Sequence, residues 1–232
     1  MARLSLPAVS RLLVLLAACA LLIAACGGDD KSEDATATPD SAQSVQDETG
    51  CQAVSDPGPK DVGKLAKPKE RLSATKTYVT TVSTNCGDFE ITLDSKRAPK
   101  TGGSFKYLAD KGFFDNTKFH RIVAGFVIQG GDPKGDGTGG PGYTVVEKPP
   151  AGLAYTKGVV AMAKGGNEPP GASGSQWFVV TAEDAQLPPD YALLGKVTEG
   201  LEVVDKIGAV PTTPDEQPTE PVVIRSVKVS GP

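Results

Sequence analysis

From residue 78 onward the chain consists of short runs in which apolar and polar residues alternate, separated by turns rich in glycine and proline. Alternation with a period of two is typical of β-strands that bury one face. The runs span residues 78–82, 89–93, 159–163, 177–180 and 222–229. Residues 99–111 and 201–207 instead indicate helices, since glycine follows each segment and proline begins the first. Many strands with two helices predict a mainly β fold, a closed barrel whose ends the helices cover.

Composition and charge limit the class of protein. The chain has 232 residues, of which 39% are hydrophobic, enough for one ordinary core or two small ones. The net charge of -4 is unevenly distributed, because residues 27–60 contain two lysines and eight acidic residues, whereas residues 61–232 are neutral. A neutral domain without a basic stripe gives no electrostatic reason to expect nucleic-acid binding, so we exclude that class.

Residues 1–25 indicate a signal peptide. Arg3 and Arg11 precede an apolar run, residues 12–25, that is too short to span a bilayer comfortably. The run leads into Leu-Ile-Ala-Ala-Cys-Gly, which resembles a bacterial lipoprotein signal with Cys26 as the lipidated residue. The alternative is an ordinary secretory signal with a chance cysteine. Both interpretations predict export, and lipidation predicts a protein anchored in the cell envelope at the extracytoplasmic face of the membrane, because two acyl chains suffice for stable anchoring.

The sequence predicts a tether over residues 26–74 and a folded domain over residues 75–232. Residues 27–60 are mostly Asp, Glu, Ser, Thr, Ala and Gln with almost nothing to bury, and a short basic stretch follows at 60–71. We therefore expect a lipidated N-terminus followed by a disordered acidic tether. A flexible coil of this length has a mean reach of about 35–40 Å.

The cysteines indicate an oxidising compartment. Cys19 is removed with the signal peptide and Cys26 is lipidated, which leaves Cys51 and Cys86 to form a disulfide. The alternative is two free thiols. Because His120 is the single histidine and neither Cys-x-x-Cys nor His-Glu-x-x-His occurs, the sequence predicts no metal site.

The densest run of chemically distinctive residues is Phe-His-Arg-Ile-Val-Ala-Gly-Phe-Val-Ile-Gln-Gly-Gly-Asp, at residues 119–132. If residues 119–122 and 127–129 are strands, Arg121, Phe126 and Gln129 face one surface. They would combine a fixed cation, an aromatic side chain and an amide there. A second run within residues 161–178 adds another amide and more aromatic rings. Together they predict an apolar pocket with a few convergent hydrogen-bond donors, the usual form of a small-ligand site.

These motifs resemble those of the cyclophilin-type peptidyl-prolyl isomerases. Phe-His-Arg-Ile, Gly-Phe-x-x-Gln-Gly-Gly-Asp, Gly-Thr-Gly-Gly, Met-Ala and Gly-Ser-Gln-Trp-Phe occur in this order within residues 78–229. The resemblance implies an eight-stranded antiparallel barrel capped by two helices, with a groove on its outer face for an X-Pro peptide and no cofactor. It implies Arg121 as the catalytic residue. The substrate-binding residues that it implies are Phe126, Val127, Gln129, Ala163, Lys164, Gln176, Phe178, Leu187 and Tyr191.

The chain departs from the family pattern at four places in or beside this groove. Val127 stands where many members have Met, and Lys164 where Asn is common. Gln186 occupies the position of a Trp in cyclosporin-sensitive members, and Tyr191 a position that is often His. The resemblance therefore implies weak cyclosporin binding, because Gln186 lacks the indole surface and N–H donor.

The predicted chemistry needs no nucleophile. An X-Pro amide rotates over a barrier of about 20 kcal/mol because rotation breaks resonance. A donor aimed at the prolyl nitrogen stabilises the twisted state more than the planar one, and Arg121 supplies such a donor in permanently charged form.

We thus expect a monomeric isomerase that acts on proline-containing segments of secreted or envelope proteins and assists their folding. One alternative is a membrane-tethered module or chaperone that binds proline peptides without turnover. Another is a scaffold for partner proteins.

Overall fold

Residues 49–231, the range that the computed structural model describes, form a mainly β domain with two helices. The strands are β1 (Val79–Thr84), β2 (Gly87–Leu93), β3 (Thr117–Lys118), β4 (Arg121–Val123), β5 (Val127–Gly130), β6 (Val145–Val146), β7 (Val159–Met162), β8 (Ala172–Ser173), β9 (Trp177–Val180), β10 (Leu193–Glu199) and β11 (Val223–Ser230). The helices are α1 (Pro99–Asp110) and α2 (Leu201–Gly208). The predicted signal peptide and the lipidation of Cys26 concern residues outside this range.

The strands form one antiparallel sheet in the order β3-β11-β1-β2-β10-β7-β9-β5-β4, with a separate β6-β8 pair. Among the described residues this order is a linear series that ends at β3 and β4. The expectation of a mainly β fold with two helices is therefore confirmed. Closure into an eight-stranded barrel stays a prediction.

Side chains on the two faces of the sheet enter two different apolar clusters. In β9, Trp177 and Val179 belong to the main core, whereas Phe178 and Val180 belong to a second apolar cluster on the opposite face of the sheet. This division follows from the two-residue period of a strand. Because both faces of the sheet are covered at this point, every residue of β9 is apolar. The face opposite the main core is the one on which a site can form.

Both helices pack on the main core. Phe105 and Leu108 of α1 and Val204 of α2 are fully buried. No local side chain caps the N-terminus of α1, where Pro99 is in the first turn. The Glu147 carboxylate fills that role, since it accepts hydrogen bonds from the Lys100 N–H at 3.2 Å and the Thr101 N–H at 2.8 Å. A carboxylate at this end also interacts favourably with the helix dipole.

The structure corrects the expectation of a disordered tether for residues 51–72, which we call the N-terminal strap. This segment lies along the domain without helix or strand. Its backbone N–H groups at Lys60, Leu65 and Leu72 donate to carbonyl oxygens of Pro133, Pro141 and Pro99, at 2.7, 3.1 and 3.0 Å. The tether prediction was based on the average composition of the segment. The strap is instead held by a few widely spaced apolar residues, which average composition does not reveal. These anchors are Cys51, Val62, Leu65 and Leu72.

Two further contacts attach the strap. Cys51 is joined to Cys86, in the turn between β1 and β2, by a disulfide. The Lys60 ammonium donates to the Gly112 and Asp115 carbonyl oxygens, at 2.7 and 2.8 Å, just beyond the end of α1. Within residues 49–231, no helix has the length and apolar character needed to cross a membrane.

Candidate active site

A shallow groove of about 230 Å³ lies over the outer face of β4, β5 and β9. It is lined by nine of the ten groove residues expected from the sequence, namely Arg121, Phe126, Val127, Gln129, Ala163, Lys164, Phe178, Leu187 and Tyr191. The tenth, Gln176, lines the adjoining depression, which shares Gln129, Ala163 and Lys164 with the groove. The fold therefore brings together all the residues in question.

The floor of the groove is apolar and closely packed. Val127 and Phe178 are almost fully buried in the second apolar cluster, with Phe126, Leu187 and Tyr191 packed against them. The Phe178 and Tyr191 rings meet edge to face, with centroids 5.4 Å apart. This arrangement forms a firm cup for a small apolar ring.

Tyr155 supports the groove from behind, and sequence reasoning did not identify it. Its hydroxyl donates to the Tyr191 carbonyl oxygen at 2.6 Å and accepts from the Tyr191 N–H at 3.1 Å. Burial raises the pKa of Tyr155 to about 12, so the phenol stays neutral. Tyr155 lies outside every motif identified in the sequence. Its contact with Tyr191 joins residues that are 36 positions apart in the chain.

Arg121 lies at the edge of the groove, where β4 pairs with β5. Its backbone is directly opposite Gln129 in the strand register. The guanidinium donates from Nε to Glu216 Oε2 at 2.6 Å and from Nη1 to Gln129 Oε1 at 3.4 Å. The side chain is 36% exposed, so it is available to a bound molecule and does not belong to the core. Glu216 lies outside every motif identified in the sequence.

A chain of amides continues from Arg121 along the groove. Gln129 donates from Nε2 to Gln176 Oε1 at 3.0 Å. Gln176 in turn donates to the carbonyl oxygens of Gly137 and Gly139, at 2.9 and 3.0 Å. The chain fixes which amide groups face the groove, because each one already has a defined partner.

The glycine-rich loop that receives Gln176 is organised by Asp132. This fully buried carboxylate accepts hydrogen bonds from the N–H groups of Lys134, Asp136 and Gly137, at 2.9, 3.2 and 2.6 Å. A Cβ at Gly139 would lie 1.9 Å from Asp132 Oδ1, so only glycine fits there. The Gly-Thr-Gly-Gly motif thus folds the loop around a buried anion.

Lys164 is a second cation beside the groove. Its ammonium lies 5.9 Å from the centre of the Tyr191 ring, in cation–π geometry, and donates to the Glu168 carbonyl oxygen at 3.1 Å. The apolar floor therefore lies between two positively charged side chains, Arg121 and Lys164.

His120 is buried and does not line the groove. Burial lowers its pKa, so the ring is neutral at pH 7. The nine residues that line the groove include no carboxylate, thiol, imidazole or aliphatic hydroxyl group. The arrangement can hold an apolar ring and direct a cation at it, and offers no nucleophile activated by a base.

Comparison with known proteins gives consistent matches. The family model described as cyclophilin type peptidyl-prolyl cis-trans isomerase/CLD matches residues 79–229. Peptidyl-prolyl cis-trans isomerase B of Streptomyces anulatus is 42% identical over 169 residues, which cover 64% of this chain and 94% of that protein. Peptidyl-prolyl cis-trans isomerase A of Mycobacterium tuberculosis is 37% identical over 172 residues, which cover 66% of this chain and 93% of that protein.

Solved structures agree with the sequence matches. A cyclophilin type peptidyl-prolyl cis-trans isomerase of Cryptosporidium parvum, crystallised in the presence of the dipeptide Ala-Pro, superimposes with a TM-score of 0.62 at 30% identity. The match covers 66% of this chain and 98% of that one. The chain therefore belongs to the cyclophilin-type family and is a peptidyl-prolyl cis-trans isomerase.

Proposed function

We propose that this isomerase uses Arg121 to accelerate X-Pro isomerisation in secreted or envelope proteins. We also propose that the isomerase itself lies outside the cytoplasm, anchored by a lipid on Cys26. The observation that carries the catalytic part is the position of the guanidinium at the edge of the apolar groove. Within residues 49–231 it makes hydrogen bonds to Glu216 and Gln129. Of the five N–H donors of an arginine, about three are left for substrate.

The chemistry of the amide explains why such a cation accelerates rotation. In the twisted state the prolyl nitrogen loses resonance and regains a lone pair, so it accepts a hydrogen bond that the planar amide cannot accept. Arg121 therefore stabilises the transition state more than the ground state. Lowering the barrier by about 7 kcal/mol corresponds to roughly a 10⁵-fold acceleration.

Substrate binding follows from the remaining groove residues. The proline ring packs on Phe126, Val127, Phe178 and Leu187, which supply the apolar cup. Gln129, Ala163, Lys164, Gln176 and Tyr191 border this cup and bind the peptide on either side of it. The Cryptosporidium relative, crystallised in the presence of Ala-Pro, supports an X-Pro dipeptide as the unit recognised.

The proposed compartment is the cell envelope, where the protein acts as a monomer and assists the folding of its substrates. The bond between Cys51 and Cys86 supports this location, since disulfides persist in oxidising compartments. The Leu-Ile-Ala-Ala-Cys-Gly sequence supports lipidation of Cys26. The strap begins at residue 51, so the tether between lipid and domain is shorter than the composition alone predicts.

The catalytic proposal is tested by measuring cis-trans exchange of a short X-Pro peptide with the mature protein and its Arg121→Ala and Arg121→Lys variants. We expect Arg121→Ala to lower turnover by roughly 10² to 10³-fold with peptide affinity largely retained. Since Arg121 is partly exposed, the variant should lose at most about 1 kcal/mol of stability.

Three outcomes would contradict the proposal. Near wild-type turnover in Arg121→Ala would remove the guanidinium from the mechanism. A collapsed denaturation midpoint would show that the Arg121–Glu216 pair is structural. Tight peptide binding by the unmodified protein without acceleration of exchange would instead favour a proline-binding module.

A further inference from the structure

We propose that Glu216 is a positioning residue that holds the Arg121 guanidinium in its catalytic orientation. This inference rests on the proposed role of Arg121. The contact that carries it is the hydrogen bond from Arg121 Nε to Glu216 Oε2, at 2.6 Å. This distance is short for a hydrogen bond between a guanidinium and a carboxylate, so the two groups are in direct contact.

The bond constrains the guanidinium in a specific way. Glu216 binds Nε, at the inner end of the planar group, while Gln129 accepts from Nη1 at 3.4 Å. Because two nitrogen atoms of the planar guanidinium are held, the group has little freedom to rotate. Its remaining N–H donors are left for the groove that Arg121 lines. Without Glu216 the only anchor of the side chain among the described residues is the longer bond to Gln129.

The loop that carries Glu216 is built to present this carboxylate. Glu216 has φ of 62°, a left-handed conformation that is uncommon for a residue with a side chain. Its N–H donates to the Thr213 carbonyl oxygen at 2.9 Å, and its own carbonyl oxygen accepts from the Ile122 N–H at 2.8 Å. The second bond joins Glu216 to the residue beside Arg121, so its backbone is fixed to β4.

The rest of the loop closes on itself around this position. The Thr213 N–H donates to the Gln217 carbonyl oxygen at 2.8 Å, and the Thr219 N–H donates to the Pro211 carbonyl oxygen at 2.9 Å. An unusual backbone conformation that is held by several bonds is a feature of functional sites. The conformation persists here because the loop overdetermines it.

The contact contributes little to the stability of the fold. The Arg121 and Glu216 side chains are 36% and 44% exposed, and pairs this accessible to water are screened. A short, well-directed bond that adds little stability has its effect on orientation. Orientation of a donor toward the reacting atom is what catalysis requires.

The test compares Glu216→Gly, Glu216→Gln and Asp215→Ala in the full mature protein, with kcat and KM for one X-Pro peptide measured separately by NMR exchange. Glycine removes the carboxylate and tolerates the left-handed backbone, whereas Gln keeps an oxygen acceptor. Asp215 is exposed in the same loop, so Asp215→Ala is the charge-matched control.

We expect Glu216→Gly to lower kcat by roughly tenfold with KM changed less than about twofold, because the apolar cup is intact. Glu216→Gln should recover most of this loss, and Asp215→Ala should match the unmodified protein. In an Arg121→Ala background, Glu216→Gly should have no further effect, since the residue acts through Arg121.

The outcomes separate this inference from the proposed function. Wild-type turnover in Arg121→Ala overturns the role of Arg121 and the inference with it. An inactive Arg121→Ala with wild-type kcat in Glu216→Gly overturns the inference alone. An equal loss in both backgrounds also overturns it. If Glu216→Gly does not fold, Glu216→Asn decides in the same comparison, because Asn tolerates the left-handed backbone and its side chain is one methylene shorter. A lowered kcat beside unchanged KM supports positioning, and wild-type kcat or a rise in KM alone overturns it.

Discussion

Leu72 occupies the space that a side chain on Gly102 would fill: a Cβ there would lie 2.4 Å from Leu72 Cδ1. The neighbouring Gly103 has the same relation to the strap backbone, since its Cβ would lie 2.5 Å from the Glu70 carbonyl oxygen. Two glycines within α1 lower its intrinsic stability. They also let the strap approach the helix closely.

Replacing Gly103 with Ala tests this relation. Helix propensity alone predicts that Gly103→Ala stabilises the protein by about 1 kcal/mol. The structure predicts the opposite, a loss of about 1–3 kcal/mol, because the new methyl group meets backbone of the strap that cannot easily move. Denaturant midpoints measure the difference. Gly166→Ala is the control, since a Cβ at Gly166 meets nothing within 4 Å, and a raised midpoint in Gly103→Ala would contradict the packed strap.

The disulfide between Cys51 and Cys86 should be present in protein purified without reductant. It closes 35 residues, so reduction is expected to lower the free energy of unfolding by up to about 3–4 kcal/mol. Turnover should persist, because neither cysteine lines the groove. Thiol labelling of denatured, unreduced protein followed by peptide mapping makes the measurement, with a Cys51→Ser, Cys86→Ser variant as control. Labelling at both positions would end the claim.

Phe126→Ala should weaken peptide affinity and turnover together. Phe126 is half-buried in the second apolar cluster, so truncation removes part of the cup on which we expect proline to pack. The expected loss of affinity is about tenfold, the size of about 1–2 kcal/mol of lost apolar contact. Titration calorimetry and NMR exchange provide the two readouts. Unchanged affinity would show that proline binds elsewhere, and Arg121→Ala supplies the contrasting pattern.

Cyclosporin should bind weakly although the isomerase is active. Gln186 is exposed beside the groove residue Leu187 and supplies neither an indole surface nor its N–H donor. Calorimetry is the suitable measurement, because Trp177 is fully buried in the main core and is poorly placed as a fluorescent reporter. Inhibition at nanomolar concentration would be the contrary result.

Lipidation at Cys26 predicts a diacylglyceryl N-terminus on protein recovered from membranes. The apolar run and the small residues before Cys26 are the basis of this prediction. Mass spectrometry of the N-terminal peptide makes the measurement, and Cys26→Ser should release the protein from the membrane fraction. A soluble protein with unmodified Cys26 would exclude the anchor.

Much of the groove was predictable, because strand periodicity is a local property. Val127 and Gln129 alternate with Ile128 along β5, so they share the outer face of the sheet while Ile128 enters the main core. The same alternation separates Phe178 from Trp177 on β9. The sequence pattern thus determined which side chains face outward. The family motifs then indicated which of these meet.

The remaining features depend on contacts between distant parts of the chain. Glu216 reaches Arg121 across 95 residues, and Glu147 caps α1 from 46 residues beyond Thr101. Composition indicated disorder for the strap, because its apolar anchors are few and each finds its partner only on the folded surface. No local sequence pattern encodes such pairs, because the contact forms only when the fold brings the two distant segments together. Periodicity and the family motifs therefore determined the groove, and tertiary packing decided how Arg121 is held and how residues 51–72 pack on the domain.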